Sequence, residues 1–357
     1  MVITDSVQVT PAYLTATLRA SGALVSGQVE QVVVEIGDSN WSKIVRLRLA
    51  YSDDARGEMP GALLLKLCCG TFGRSEVDYL THDYAHVADA PLPRCYDAQI
   101  DETIPAYHLL MDDLSATHQS NFQTTPTLGY GEALAEAAAA LHAPYWQPEQ
   151  RAVLGSVEPP AAQFERYLKH SVQGLEPLFA ATQNDITKDE QELLRNIFAW
   201  HPVAVRTRLR DSRGLALIHG DLNPGNILSP RTGDGQIYLI DRQPFDWSLT
   251  VWLGVSDLAY AMVHWWPTEL RRAFEQPVLR RYHQALVQRG VNDYSWAQLW
   301  DDYRLMAVLS LYVAVEWCVL PEDRERMRWV WFPQLQKALA AYADLGCAEW
   351  GIGAQLY

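Results

Sequence analysis

The chain carries the sequence LIHGDLNPGNILS at Leu217–Ser229, and a second segment, IYLID, ends at Asp241, fifteen residues after Asn226. In both segments an apolar run adjoins polar residues, as in a loop held between buried strands. His219, Asp221 and Asn226 would lie on that loop. The pattern predicts a polar site supported by strands, although NPGN is also an ordinary turn sequence that Asp221 could cap.

The position of Asp241 at the end of a predicted strand suggests a metal site. If Ile227–Leu228 pairs with Tyr238–Ile240 as a hairpin, Asn226 and Asp241 come close together. A carboxylate beside an amide oxygen suits Mg²⁺, which takes one or two protein carboxylates together with phosphates and water. Asp221 would then be a second carboxylate nearby, free to accept a proton. The alternative for Asp241 is a plain turn carboxylate.

Lys66 lies within ALLLKLCC at Ala62–Cys69, a run that is otherwise apolar on both faces of a strand. A buried ammonium group is costly unless an acid pairs with it. Glu76, in the first turn of the next predicted helix, is the natural partner; the alternative is that Lys66 reaches solvent from the strand end. A strand lysine paired with a helix glutamate is also how protein kinases hold the phosphates of ATP.

The order of predicted elements gives an α+β fold of two parts, residues 1–113 and 114–357, with the cleft between them as the expected ligand site. The first part is rich in strands, and helices dominate beyond a polar stretch at 114–129. In the first part we predict strands at 32–36, 44–51, 62–69, 96–100 and 106–111, the first three an antiparallel meander, and a helix at 74–88. In the second we predict helices at 132–142, 162–170, 189–200, 257–266, 269–289, 295–320 and 325–342, and strands at 215–219 and 236–241.

Composition and charge exclude several classes of protein. The chain has 357 residues, of which 48% are hydrophobic and 20% charged, as in a globular protein with a sizeable core. Its 29 basic and 43 acidic side chains give a net charge of −14. This charge repels phosphate backbones, and no basic cluster offsets it, so we expect no nucleic-acid partner. An acidic surface favours cations, such as metal ions or an amine-bearing substrate.

The cysteines and the apolar segments predict a cytoplasmic protein. Five cysteines occur without CxxC or Cys/His spacing, which is typical of a reducing compartment rather than of a zinc site or a disulfide framework. The segment MVITDSVQVTPAYL lacks the basic and apolar regions of a signal peptide. The longest apolar stretch, Leu305–Leu320, contains Ser310 and Glu316 and is short for a bilayer. We expect a buried helix there and no membrane association.

Together these residues resemble the aminoglycoside phosphotransferase and choline/ecdysteroid-kinase-like superfamily of small-molecule kinases. The resemblance covers most of the chain, and HGDLNPGNIL and LIDRQPF followed by SDLAY are its most specific segments. It implies a protein-kinase-like fold with an antiparallel sheet and a C helix in the N-terminal lobe and a larger, mostly helical C-terminal lobe. The other similar segments, in the expected order, are GDSNWS, ALLLKL, RSEVDYL, HLLMDDLS and AAALHAPYW.

The resemblance also implies roles for individual residues. Asp221 would be the catalytic base, Asn226 and Asp241 the ligands of Mg²⁺, and Lys66 and Glu76 the pair that orients the phosphates of ATP. The remaining implied sites are the nucleotide loop with Gly37, Ser39 and Ser42, the adenine-binding backbone at Met111, Asp112 and Asp113, and the loop supports His219 and Asp257.

Three features leave alternatives open. Arg242 stands where the family usually has Trp or Phe, so it could touch a phosphate or pair with Asp246. In the helical part, Trp265 and Trp266 could stack on a substrate ring or ammonium, with core packing as the alternative. Glu316, alone in an apolar helix, would either pair with an arginine or meet a substrate amine.

The favoured function is transfer of the γ-phosphate of ATP to a hydroxyl of a small molecule, with amine-bearing acceptors such as aminoglycosides and amino alcohols as candidates. A nucleotide-binding pseudokinase with a regulatory role is the alternative. Degenerate members usually lose one or more of Lys66, Asp221, Asn226 and Asp241, and all four are present. A protein-substrate kinase is disfavoured, because no APE-like activation segment separates Asp241 from SDLAY.

Overall fold

The computed structural model describes residues 2–37, 42–69, 75–101, 103–122, 124–154, 157–233, 235–243 and 248–349. The chain divides into two compact units, residues 1–119 with 229–246 and residues 120–228 with 247–357. The first unit is rich in strands and the second is mostly helical, so the α+β class is as predicted. The segment 229–246, which lies in the second part of the predicted division, belongs to the first unit.

A five-stranded antiparallel sheet is the framework of the first unit. Five of the eight residues of its central strand, Ala62–Cys69, are buried, because the strand has apolar residues on both faces and a neighbouring strand at each edge. The register places Lys66 opposite Ile44 on one side and Leu109 on the other. The first three strands form the predicted meander. The spatial order is Val29–Gly37, Lys43–Tyr51, Ala62–Cys69, Ala106–Asp112 and Cys95–Asp101.

A helix at Pro11–Ala20, which the sequence analysis did not predict, completes the core on one face of this sheet. The Thr10 side chain caps it and Pro11 occupies its first turn. Leu14 and Leu18 are fully buried against the sheet. The smaller elements of this region are the 3₁₀ turn Ser6–Gln8 and the paired strands Leu24–Ser26 and Arg56–Gly57.

The helix after the central strand is shorter than predicted. It is α-helical over Ser75–Asp78 and continues as one wide π-helical turn over Tyr79–Asp83. The Tyr84 N–H then bonds the Tyr79 carbonyl five residues back, and the chain leaves the helix. The prediction of a helix to residue 88 was therefore wrong, and Arg74 lies outside the described residues.

A second, three-stranded sheet contains the predicted hairpin. The strand Ile227–Pro230 lies between Tyr238–Leu239 and His118–Ser120. The predicted strand 236–241 is thus only two residues long, so Asp241 follows it on an irregular segment. A further backbone hydrogen bond joins two of these strands just beyond their ends: the Arg231 N–H donates to the Thr117 carbonyl at 2.9 Å.

The second unit is built from helices around a two-stranded sheet, Leu215–Leu217 with Val251–Leu253. The predicted helix 325–342 is two helices, and the predicted helix 257–266 is a short α-helix followed by a π-helix, Tyr260–Trp265. The α-helices are Leu128–His142, Pro148–Arg151, Pro160–Ser171, Leu175–Ala181, Lys188–Arg208, Val255–Ala259, Thr268–Gln288, Trp296–Glu316, Pro321–Arg326 and Arg328–Asp344. Within the described ranges, no helix combines the length and hydropathy needed to cross a membrane.

Candidate active site

The first group of candidate residues surrounds Lys66 in the strand-rich unit. The Lys66 Nζ donates to both carboxylate oxygens of Glu76 at 2.8 Å and to Asp241 Oδ1 at 2.8 Å. The Tyr107 hydroxyl donates to Glu76 Oε2 at 2.6 Å. Lys66 is 7% exposed and Glu76 is 3% exposed. The ion pair predicted from the sequence is therefore present and buried, and Asp241 is a second acid in contact with the ammonium.

The charges around Lys66 keep it protonated. Burial alone would lower the pKa of Lys66, but the carboxylates of Glu76 and Asp241 outweigh burial and raise it. Burial raises the pKa of Glu76, although the Lys66 charge opposes that change. Burial and the nearby Glu76 charge also raise the pKa of the Tyr107 hydroxyl, which therefore stays a donor. The group is a fixed cation held between two acids.

Asp241 has an unusual backbone. Its φ of 58° lies in the left-handed region, which residues other than glycine rarely adopt. Such strain persists where the surrounding contacts hold the residue in place. The bond from Lys66 is one such contact, and 46% of the Asp241 side chain is nevertheless exposed. Nearly half of the Asp241 side chain is thus accessible to solvent, although the residue is bound to Lys66.

Arg242, next in the chain, is directed at the helix that carries Glu76. One guanidinium nitrogen donates to Ser75 Oγ, and the guanidinium carbon lies 4.9 Å from the centre of the Tyr79 ring. Arg242 is 5% exposed. The suggested partner Asp246 lies outside the described residues.

The predicted nucleotide loop is described only at its two ends. Gly37 is the last residue of the strand Val29–Gly37 and pairs with Ile44. Ser42 immediately precedes the strand Lys43–Tyr51, and Ser39 lies outside the described residues. The nucleotide-binding role of this loop stays a prediction.

The predicted adenine-binding segment lies at the end of the strand Ala106–Asp112. Met111 is buried, and Asp112 Oδ1 accepts a hydrogen bond from the Tyr96 hydroxyl at 2.7 Å. Asp113 Oδ1 accepts a hydrogen bond from the backbone N–H of Ser115 at 2.9 Å. Both acid side chains accept hydrogen bonds from nearby residues, so we expect the backbone rather than these side chains to contact adenine. That role also stays a prediction.

The second group of candidate residues surrounds Asp221 in the helical unit. Asp221 Oδ1 accepts hydrogen bonds from the Tyr260 hydroxyl and from Asn223 Nδ2, both at 3.0 Å. Asp221 Oδ2 accepts one from Asn226 Nδ2 at 3.1 Å. Donors on both oxygens fix the orientation of the carboxylate. Burial and the Asp221 charge raise the pKa of Tyr260, so the phenol remains a donor.

The Asp257 carboxylate anchors the backbone of the loop that carries Asp221. It accepts the N–H of His219 at 2.7 Å and that of Gly220 at 2.9 Å, and His142 Nε2 lies 3.1 Å from it. Burial would raise the pKa of Asp257, but the hydrogen bond and charge of His142 and the contacts from His219 lower it. Gly220 has a φ of +82°, which favours glycine. The loop conformation is thus fixed by a buried anion.

The candidate metal ligands carry oxygen donors of the kind that Mg²⁺ prefers. Asn226 is 8% exposed, and its amide nitrogen donates to both the carbonyl and the carboxylate of Asp221. The other polar atom of this side chain is an amide oxygen, and Asp241 carries a carboxylate on a side chain that is 46% exposed. That these two residues bind one Mg²⁺ stays a prediction.

The two candidate tryptophans have different environments. Trp265 is partly exposed, and its ring centre lies 5.8 Å from that of Phe122. Trp266 is 2% exposed, lies 6.1 Å from the ring of Tyr130 and fills the space beside Gly131. Trp266 therefore occupies the core, which is the alternative that the sequence left open, while Trp265 keeps a surface that a ligand could meet.

Glu316 lies at the end of the helix Trp296–Glu316 and is partly buried. The Tyr167 hydroxyl hydrogen-bonds to it, and burial together with the Glu316 charge raises the pKa of Tyr167. The Glu316 charge also acts on Tyr260, the phenol that bonds Asp221. A second carboxylate therefore lies near the phenol that contacts the candidate base.

Three residues with direct contacts were missed by the sequence analysis as site residues. Asn223 belongs to the turn NPGN and accepts the Gly225 N–H at 2.8 Å, a signal that the turn composition contained. Tyr260 ends the SDLAY segment, three residues after Asp257, a position in a family motif that could have indicated it. Tyr107 belongs to an unremarkable apolar strand, where nothing in the sequence indicates a contact with Glu76.

Comparison with known protein families identifies one match. The model of the family described as phosphotransferase enzyme family matches residues 71–300, which contain Asp221, Asn226, Asp241 and Asp257. No curated protein matches the chain by sequence.

Solved structures share the fold over nearly the whole chain. A choline kinase from Cryptosporidium parvum Iowa II has a TM-score of 0.58 at 12% identity, covering 94% of this chain and 99% of the kinase. A glucosamine kinase has a TM-score of 0.51 at 15% identity, covering 87% and 90%. A spectinomycin phosphotransferase, solved with ADP and spectinomycin, has a TM-score of 0.50 at 11% identity, covering 94% and 98%. These likenesses confirm the predicted protein-kinase-like α+β fold.

Proposed function

The chain belongs to the phosphotransferase enzyme family, and from this premise we propose that it transfers the γ-phosphate of ATP to a hydroxyl group of a small molecule. Family membership confirms the predicted resemblance and the prediction that the chain is an enzyme of the small-molecule kinase class. The observation that carries the finer proposal is the buried Lys66 ammonium bound to Glu76 and Asp241 at 2.8 Å.

Lys66 is proposed to orient the phosphates of ATP. Its ammonium is fixed by Glu76, and its protonation is secured by two acids, so it is a permanent positive charge at a set position. Phosphoryl transfer depends on positioning and charge neutralisation more than on covalent help from the protein. A fixed cation of this kind supports both requirements. The backbone at Met111–Asp113 and the loop with Gly37, Ser39 and Ser42 would bind the rest of the nucleotide.

Asn226 and Asp241 are the proposed ligands of Mg²⁺. When bound, the ion supplies positive charge against the phosphate oxygens. The chain's own contribution is to present an amide oxygen and a carboxylate. Asn226 is held by its bonds to Asp221, and Asp241 is held by its bond to Lys66. Both ligands are therefore anchored before any ion arrives.

Asp221 is the proposed general base. Its carboxylate is oriented by Tyr260, Asn223 and Asn226, and the loop below it is held by Asp257. An ionised, fixed carboxylate can accept the hydrogen bond of an acceptor hydroxyl and then its proton as the oxygen attacks phosphorus. His219 is proposed to support the conformation of this loop, because its backbone N–H donates to Asp257.

An amine-bearing acceptor is the substrate class that we favour. Glu316 places a carboxylate near Tyr260, which in turn contacts Asp221. A substrate ammonium near Glu316 would offset that charge while its hydroxyl meets Asp221. Trp265 presents a partly exposed ring that suits a sugar face or a cation. The net charge of −14 supports the same choice.

The proposal is tested by measuring Mg²⁺-dependent ATP consumption with a panel of acceptors. The panel pairs amines with neutral counterparts: amino sugars with sugars, amino alcohols with alcohols, and aminoglycosides with nucleosides. The proposal predicts turnover that requires both Mg²⁺ and a hydroxyl acceptor, with a phosphorylated acceptor found by mass spectrometry. Nucleotide binding without turnover on any acceptor would instead favour the regulatory pseudokinase.

The choice of an amine is tested separately with Glu316→Gln, which keeps the shape and removes the charge. We expect this variant to lose the preference for the amine over its neutral partner, mainly through KM. Glu322→Gln is a matched control, because that residue lies on the exposed helix Pro321–Arg326. Equal effects of the two substitutions would contradict the role of Glu316.

A further inference from the structure

Arg242 closes a ring of contacts around the phosphate-orienting group, within the strand-rich unit. Lys66 bonds Glu76 and Asp241. Glu76 follows Ser75 in the helix, and Arg242 follows Asp241 in the chain. The Arg242 guanidinium donates to Ser75 Oγ, and Ser75 Oγ donates to the Gln243 carbonyl at 3.4 Å. The helix is thus joined to the segment Asp241–Gln243 at two places. Lys66 bridges Glu76 and Asp241, and Arg242 bonds Ser75.

The second connection is well suited to fix the helix. A planar guanidinium can bond Ser75 while it also stacks on the Tyr79 ring, whose centre is 4.9 Å away. Arg242 is 5% exposed, so little water competes for these contacts. Burial raises the pKa of Asp83, at the far end of the same helical stretch, and the Arg242 charge opposes that rise. Arg242 therefore contacts the helix at Ser75 and at Tyr79.

Contacts that close a ring stabilise one another, because each one limits the freedom of the groups that form the next. With Arg242 in place, the Lys66–Glu76 and Lys66–Asp241 bonds form between groups that are already close, so little conformational freedom is lost. The positive φ of Asp241 is held at the same time, because the residue that follows it, Arg242, is anchored by its side-chain bond to Ser75. Arg242 thus supports both the strained backbone of Asp241 and the two ion pairs of Lys66.

We propose that Arg242 is a positioning residue that assembles Lys66, Glu76 and Asp241 before nucleotide binds. It does so by coupling the metal-binding segment to the helix that carries Glu76, and it does not touch the phosphates. The inference rests on the proposed function for the meaning of this assembly. The coupling itself is a property of the free protein.

The test uses the full chain without nucleotide and measures hydrogen–deuterium exchange over residues 75–83. Arg242→Met and Ser75→Ala each remove one end of the connection. We expect about tenfold faster exchange in each variant, because a hydrogen bond to a charged group is lost. The double variant should exchange no faster than the faster single variant, because the two changes break the same link.

Two controls separate coupling from general loss of stability. Arg48→Met removes an arginine of the same sheet whose ion pair with Glu35 is exposed. Val9→Ala weakens the core of the same unit away from the ring. Neither should change exchange over residues 75–83 relative to the rest of the unit. Equal acceleration by Val9→Ala, or none in Arg242→Met and Ser75→Ala, would overturn the inference. If Arg242→Met does not fold, Ser75→Ala decides alone.

A second readout links the ring to ligand binding. Calorimetric titration with Mg²⁺ and a non-hydrolysable ATP analogue should show about tenfold weaker binding to Arg242→Met, with Arg242→Lys in between, because lysine keeps the charge and loses the planar fork. Unchanged affinity in Arg242→Met would contradict a positioning role even if exchange rises. If the wild-type chain binds no nucleotide, the proposed function fails, and the exchange experiment still decides the coupling.

Discussion

Replacing Lys66 by Met should destabilise the chain in a way that depends on pH. The substitution removes a buried ammonium whose side chain is 9% exposed and leaves Glu76, whose side chain is 4% exposed. Of the donors described above, Tyr107 remains on Glu76. Breaking a buried pair by removing one partner costs about 3–5 kcal/mol, because the other charge loses its compensation.

The stranded carboxylate can reduce this cost by taking up a proton. Burial already raises the pKa of Glu76, and Lys66 is the charge that opposes the rise. Without Lys66 the folded-state pKa rises further above the unfolded value of about 4.3. The folded state then binds more protons than the unfolded state. The contribution of Glu76 protonation to the variant's stability is therefore complete at pH values below about 4.3, and it is lost as pH rises toward the folded pKa, by up to about 1.4 kcal/mol per unit.

The assay is urea unfolding of the wild type, Lys66→Met and the double variant Lys66→Met/Glu76→Gln at pH 5.5 and pH 8. We expect the single variant to lose more stability relative to wild type at pH 8 than at pH 5.5. The double variant should recover most of the loss at pH 8, since it holds no stranded charge. Lys43→Met, on the neighbouring strand, is the matched control and should change little.

The reasoning is refuted if the Lys66→Met loss is the same at both pH values, or if adding Glu76→Gln restores nothing. Either result would mean that Glu76 is not stranded in the variant. Phosphoryl transfer should be lost in both variants, because neither retains the phosphate-orienting cation.

Two further predictions concern the helical unit. Tyr260→Phe removes one donor to Asp221 and should lower kcat about tenfold while nucleotide affinity stays within about twofold, as measured by steady-state kinetics and calorimetry; weaker nucleotide binding would assign Tyr260 a different role. Gly254→Ala places a Cβ 2.7 Å from the Tyr282 hydroxyl and 3.0 Å from His142 Nδ1, and should lower stability by about 1–3 kcal/mol in urea unfolding. An unchanged midpoint would show that the two side chains can move apart freely.

The five strands of the large sheet could be predicted because their signals are local. The strand Ala62–Cys69 has the predicted bounds, since seven apolar residues and Lys66 between polar links match the length of a short buried strand. The helix Pro11–Ala20 was missed, although Thr10 and Pro11 are ordinary helix-start signals. The helix at Ser75 ends early because the Tyr84 N–H bonds Tyr79 rather than its α-helical acceptor, a choice that residue periodicity does not reveal.

Contacts among the candidate residues could be predicted where one segment, or two consecutive elements, carries the whole pattern. Asp221 and Asn226 lie in a single loop, and Lys66 with Glu76 lies on consecutive elements, so their order along the chain is informative. Contacts between distant segments could not be predicted from the sequence. The bond between Lys66 and Asp241 joins residues 175 positions apart. The direction of Arg242 depends on Ser75 and Tyr79, and no sequence rule connects them.

Calorimetric titration of Mg²⁺·ATP into wild type, Asp221→Asn and Asp241→Asn tests most directly whether the nucleotide-metal site and the catalytic base use different carboxylates. Asp221→Asn keeps the shape and an acceptor oxygen, so nucleotide affinity should stay near wild type. Its turnover on a confirmed acceptor should fall about 10²–10⁴-fold, the usual contribution of a general base. Asp241→Asn should weaken Mg²⁺·ATP binding as well as turnover. Loss of nucleotide in Asp221→Asn, or full binding in Asp241→Asn, would contradict the account.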